Sequence, residues 1–176
     1  ITSPTSVDVF TKNSKNYAAI RSETGKQFAI YDITVLTNPE LIDSISDTSS
    51  TILGGSGKVG IFTVGSSQFA LSTSSTEDGF EIINLNELKL LHSANSQTDG
   101  TNEFAELDGA SGFDFFTDSG KKYAIIASSD DDGVQIIEIG TLPAITSGQT
   151  PDSINQFSKI SVNNNGLSYQ TDSDIF

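Results

Sequence analysis

Short apolar runs, rich in β-branched and aromatic residues, alternate along this chain with clusters of Ser, Thr, Asn, Asp and Gly. That pattern predicts strands joined by turns, and no convincing helical period interrupts it. Strands are expected near 7–11, 16–22, 27–33 and 40–46, near 59–64, 68–74, 79–85 and 89–93, and near 113–117, 122–128 and 134–139. The central ones are apolar on both faces. The run at 123–126, Tyr-Ala-Ile-Ile, has no polar alternation, as expected of a sheet packed on both sides. The segment Glu40–Ile45 is more mixed, as an outer strand would be.

The segments are copies of one another. Phe10-Thr11 leads six residues on to Tyr17, Phe62-Thr63 to Phe69, and Phe116-Thr117 to Tyr123; eleven residues further stand Phe28, Phe80 and Val134. The offsets between copies are 52 and then 54 residues. The match reaches back to Ile1–Val7, Leu53–Val59 and Leu107–Phe113, and a fourth copy opens near Ser161, where Gly166–Thr171 matches Gly112–Thr117. Four antiparallel strands repeating at about fifty residues are the signature of a β-propeller blade. The expected fold is all-β: a β-propeller, or an open propeller segment, of about three four-stranded blades plus a partial fourth, divided at 1–52, 53–106, 107–160 and 161–176. Propellers typically have about four to eight blades, so three and a stub do not close. Two readings stay open. The chain is part of a longer repeat protein, or copies assemble and the strand around Leu167, Tyr169 and Thr171 completes a neighbour's blade by strand addition, giving a homo-oligomer or a filament.

The residues also resemble a family. The segment Tyr123–Ile139, preceded by Phe104–Ala110, is similar to the LVIVD-type repeats of bacterial and archaeal surface or secreted proteins. The resemblance covers copies two and three well and copy one loosely. Asp32 with Asn38-Pro39 keeps the family's Asp and Asn-Pro turn, Asn84 and Glu138 depart from the Asp, and Leu142-Pro143 approximates the turn. The resemblance implies a propeller in an extracellular or cell-surface setting and no single activity.

Composition narrows the function. Of 176 residues, 23 are acidic and 9 basic, for a formal net charge of −14. So negative a chain is not expected to bind nucleic acid, whose affinity rests on Lys and Arg neutralising phosphates, nor an anionic membrane surface. No apolar run is long enough to span a bilayer as a helix, so no membrane insertion is expected. No secretory signal is visible from Ile1. There is no Cys, hence no disulfide, thiolate nucleophile or Cys-based metal site. Roughly a quarter of the chain is Ser or Thr, and no Asn-x-Ser/Thr acceptor occurs.

Candidate chemistry gathers in the loops. In a four-stranded blade, the loop between strands two and three shares a face with the loop entering the next blade. That places Glu23, Glu77, Asp78, Asp99, Glu103, Asp130, Asp131 and Asp132 at one rim. Asp130, Asp131, Asp132, Asp99 and Glu103 form the candidate Ca²⁺ set, since Ca²⁺ takes about six to eight hard oxygen ligands from flexible loops. The spacing is not that of an EF-hand. The bland alternative is a solvated hairpin in which Gly79 and Gly133 supply a positive φ. Gly54-Gly-Ser-Gly-Lys58 fails as a phosphate loop: Ile52 stands where its first Gly would be, Val59 replaces the metal-ligating Ser or Thr, and a strand follows. His92, the one His, sits in an outer strand and reads as a surface residue. Asp8 and Asp114 share a position in the innermost strand, where Gly60 and Ser168 stand in the other copies, and are expected to line a central channel. The recurring aromatics Tyr17, Phe28, Phe62, Phe69, Phe80, Phe115, Phe116 and Tyr123 read as core. The expected role is structural or adhesive: a non-enzymatic extracellular module that binds a protein partner or itself, with Ca²⁺ as the candidate cofactor. The rival from another class is a propeller hydrolase or lyase with an acidic site at the channel mouth.

Overall fold

The computed structural model describes residues 1–89, 91–100, 104–139, 157–163 and 166–168. These residues form strands and turns, with no helix among them, in three antiparallel sheets. Sheet 1 holds β1 (Pro4–Lys12), β2 (Lys15–Ser22), β3 (Gln27–Asp32) and β4 (Glu40–Ser46) in sequence order. Sheet 2 repeats the plan with β5 (Val59–Val64), β6 (Ser67–Ser74), β7 (Gly79–Asn84) and β8 (His92–Thr98). Sheet 3 holds β9 (Ala110–Asp118), β10 (Lys121–Ser128), β11 (Gly133–Ile139), β12 (Phe157–Asn163) and β13 (Gly166–Ser168).

The hairpin turns follow from local chemistry. Asn13 and Ser14 both take positive φ between β1 and β2, as Ser119 and Gly120 do between β9 and β10. That is the two-residue turn whose twist matches its flanking strands. Before β3, β7 and β11 the positive φ falls on Lys26, Asp78 and Asp132, the same position in each copy. The expected role of Gly79 is therefore corrected. It is needed for space, because a Cβ there would lie 2.1 Å from the carbonyl oxygen of Gln97.

Expected and observed strands agree closely except for β12, where no strand was expected, and for β8. The apolar Leu88 and Leu91 drew that expectation to 89–93, but Leu91 is buried and Leu88 packs beside it in the approach to the strand. The strand itself, His92–Thr98, is polar. The boundary expected at 161 falls inside β12, and Leu167 lies in β13 opposite Val162. Tyr169 and Thr171 lie outside the described residues.

Two apolar clusters hold neighbouring sheets together. Phe10, Tyr17, Phe28 and Ile30 of sheet 1 pack with Val59, Ala70 and Ile83 of sheet 2. Phe62, Phe69, Leu71, Phe80 and Ile82 of sheet 2 pack with Phe113, Ala124, Ile126 and Ile137 of sheet 3. Sheet 2 is thus buried on both faces, which is why β6 and β7 carry no polar alternation.

Polar bonds repeat across the two sheet-to-sheet contacts. Gln68 Nε2 donates to the Thr11 carbonyl at 3.1 Å, and Lys122 Nζ, in the same place one copy later, donates to that of Thr63 at 3.2 Å. The Lys58 ammonium reaches the Phe113 carbonyl at 2.5 Å and lies 5.0 Å from the centre of that residue's ring. Because the offsets that align the sequences also align these contacts, the repeat is one of packing as well as of strands.

Candidate functional site: the acidic loop rim

The rim is assembled from the β2–β3, β6–β7 and β10–β11 turns and from the connections that enter sheets 2 and 3. Its acids are first of all backbone acceptors. The Glu77 carboxylate accepts the Gly54 N–H in a short hydrogen bond, and its counterpart Asp131 accepts the Asp108 N–H at 2.8 Å. Asp47 Oδ1 accepts from Leu53 N at 3.3 Å, and Asp99 Oδ1 from Leu107 N at 3.2 Å. Asp78 Oδ1 accepts the Gly109 N–H at 3.1 Å. Serines complete the latch. Ser22 donates to the Thr2 carbonyl and Ser74 to that of Gly54, while the turns beyond return an N–H to each hydroxyl, from Gly25 and Glu77 at 3.0 and 3.2 Å. Gly55 and Gly109 both sit at positive φ in the entering connections, the conformation glycine adopts at least cost.

Beneath the rim lies a group that sequence reading missed. Arg21 is fully buried and donates to the carbonyls of Ser22 at 2.6 Å, Gly54 at 2.8 Å and Gly55 at 3.2 Å. Burial lowers its pKa, and the charges of Glu77, Asp47 and Glu23 oppose that shift. Thr73 holds the same place one copy later and ties into the next connection by donating to the Ser111 carbonyl at 2.8 Å. The signal was available: a lone Arg in an apolar central strand, where the other copies carry Thr73 and Ala127.

Of the expected Ca²⁺ set, Asp130 and Asp131 come together beside Asp78 and Asp108. Asp108, which was not on the expected list, has its carboxyl pKa raised by desolvation and then by the charges of Asp78, Asp130 and Asp131. Its alignment with Gly54 placed it against the same turn. Asp99 caps Leu107, Asp132 is a turn residue at φ 51°, and Glu103 lies outside the described residues. Among the described residues, no group of three His, Cys, Asp or Glu is arranged to hold a metal ion. The channel role expected of Asp8 is corrected. Its Oδ2 accepts the N–H of Ile61 at 2.8 Å, bridging sheets 1 and 2, because the two innermost strands lie side by side. Asp114 keeps the local half of that arrangement, accepting from Phe115 N at 2.8 Å, and is exposed.

At the opposite strand ends, a cleft of about 500 Å³ is lined by Lys12, Lys15, Asp32, Glu40, Glu87 and Lys89 among others. Lys15 pairs with Asp32 at 2.8 Å and holds its carboxyl at about 2. Burial lowers the Lys12 pKa.

No family model and no curated protein matches the chain. Among solved structures, it is similar to an exo-β-1,3-galactanase from Phanerochaete chrysosporium with β-1,3-galactotriose: TM-score 0.50, 13% identity, covering 77% of this chain and 35% of that one. The chain thus spans about a third of that enzyme's chain, and at this identity the likeness is one of fold. It nevertheless corrects the expectation of a non-enzymatic module, since a similar arrangement of strands belongs to an enzyme, and the all-β repeat architecture is no argument against catalysis.

Proposed function

We propose that the chain is a run of β-propeller blades of the LVIVD-repeat type, working outside the cell or at its surface, and that it binds a cationic protein partner through the acidic rim. One observation carries this reading: the carboxylates of Asp78, Asp130 and Asp131 gather around Asp108, whose pKa is raised first by desolvation and then by their charges. Backbone donors hold these turns in place, so the charge is presented on an ordered frame. Ca²⁺ would bridge rim and partner, with Asp130 and Asp131 as the carboxylates that would hold it on the rim side. The test is binding of a lysine-rich protein across a salt series, with and without Ca²⁺, comparing the native chain with Asp78→Asn/Asp130→Asn. The reading expects affinity that falls steeply with salt and with the double substitution. Affinity that ignores both overturns it.

A second reading rests on the same raised carboxyl. Glycoside hydrolysis pairs a protonated acid with an ionised carboxylate. Asp108, whose carboxyl is raised by desolvation and then by its acidic neighbours, is the candidate acid, and Asp78, hydrogen-bonded to it, the candidate partner carboxylate, in a chain whose fold resembles that of a galactanase. β-1,3-Linked galactans are the first substrates to assay. Release of reducing sugar that Asp108→Asn abolishes supports this reading, and no release from a panel of β-linked oligosaccharides removes it.

A further inference from the structure

The outward faces of sheets 1 and 3 are the two halves of a contact the chain already makes twice. On sheet 1, Val7 and Val9 of β1 are 62% and 60% exposed. Their counterparts one copy later are Val59 and Ile61, and two copies later Phe113 and Phe115. Val59 is 2% exposed against sheet 1, and Phe113 is 6% exposed against sheet 2. On sheet 3 the opposite face carries Phe116, Tyr123, Ile125 and Ile136, with Phe116 40% exposed. Its counterparts Phe62, Phe69, Leu71 and Ile82 are buried against sheet 3, and Phe10, Tyr17, Ala19 and Ile30 against sheet 2. Each free face is therefore apolar at the positions that every other copy buries.

The polar pattern is complementary as well. Asp8 donates nothing and accepts across the gap, through Oδ2, from the next innermost strand. Asp114 occupies its position on the free face of sheet 3, with Oδ1 held in the same way by the following N–H. At the start of the second strand, Gln68 and Lys122 each donate to a carbonyl of the preceding sheet. Asn16 stands there in sheet 1, on the free side, and the carbonyl it would meet is that of Thr117.

We propose that a second copy of this chain docks head to tail, with its Phe116–Ile125 face on the Val7–Val9 face of the first. The contact repeats the internal one: valines against phenylalanine and isoleucine, Asp114 Oδ2 toward the neighbouring innermost strand, Asn16 toward the Thr117 carbonyl. It is independent of the rim and of the β13 strand. A contact between two different faces leads to rings where the rotation closes and to open chains where it does not.

The experiment is mass photometry and sedimentation velocity of the full chain over a wide concentration range, with two blocked variants, Val9→Glu and Phe116→Glu. Both positions are exposed, and circular dichroism and melting temperature check that the fold is kept. If either variant misfolds, Val7→Lys replaces the first and Phe116→Lys the second. The native chain is expected to form assemblies that grow with concentration, and each variant alone to be monomeric. An equal mixture of the two variants is expected to double in mass and stop, because each brings one unblocked face, the two faces pair, and only blocked faces are left on the complex. A native chain that stays monomeric, a variant that still assembles alone, or a mixture that stays monomeric overturns the proposal.

Discussion

Asp8 Oδ2 accepts the backbone N–H of Ile61 at 2.8 Å, and this bond joins the innermost strands of sheets 1 and 2. Both neighbours of Ile61 are buried, so water has little access to its N–H. Asp8→Ala leaves that donor without its acceptor. The expected loss is about 1–3 kcal/mol, the usual cost of an unsatisfied buried polar group. Urea unfolding monitored by tyrosine fluorescence reads it as a lower midpoint at unchanged slope. A midpoint equal to the native one would show that the bond contributes nothing net.

Gly60 stands where Asp8 and Asp114 stand in the flanking copies, and the reason is steric. A Cβ there would lie 2.8 and 2.9 Å from two atoms of the Phe113 ring and 3.1 Å from the Phe115 ring. Those rings fill the space that an aspartate takes up elsewhere. Gly60→Ala is expected to cost about 1–3 kcal/mol through overpacking. Gly60→Ala with Phe113→Leu is expected to recover part of the loss, and thermal melts of the two variants compare them directly. Equal stability of the single variant and the native chain would refute the steric account.

How much of this was legible beforehand follows from where each constraint lives. The central strands were readable because burial leaves apolar runs such as 80–83, Phe-Glu-Ile-Ile, repeated at fixed offsets. The polar strand β8 was not, because Leu88 and Leu91 serve the space between sheets before the strand begins. The turns that carry the rim acids were readable from their Ser, Asp and Gly clusters. Their use as caps for Gly54, Leu53, Leu107 and Asp108 was not, because the partner N–H groups lie about 6 to 23 residues away. Gly60 answers to rings of another sheet, which no local pattern records; Arg21 answers to carbonyls of another connection, and only its lone charge in an apolar strand marks it.

Lys15 and Asp32 give a pH dependence with a definite sign. The Lys15 ammonium, with help from Thr34, holds the Asp32 carboxyl at about 2, below its ordinary 3.8. A depressed acid contributes stability that is present above its unfolded pKa and is lost as pH falls through the folded value. Lys15→Gln is therefore expected to melt slightly lower than the native chain from pH 5 to neutrality, with the two curves meeting near pH 2. The pair is solvent-accessible, so the gap also narrows in high salt. A gap unchanged by acid would assign the effect to packing of the lysine stem.

Asp108 has the opposite sign. Desolvation and the charges of Asp78, Asp130 and Asp131 raise its carboxyl above the ordinary 3.8. The folded chain therefore holds this proton more tightly than the unfolded chain does, and ionisation destabilises the fold. That penalty is complete above the folded pKa and disappears as pH falls to the ordinary value. Asp108→Asn removes the charge and leaves the backbone N–H that Asp131 accepts. The variant is expected to melt higher than the native chain at pH 7, with the difference shrinking on acidification and vanishing near pH 3. Melting curves across that range check it. A variant less stable at neutral pH would refute this account of the Asp108 carboxyl.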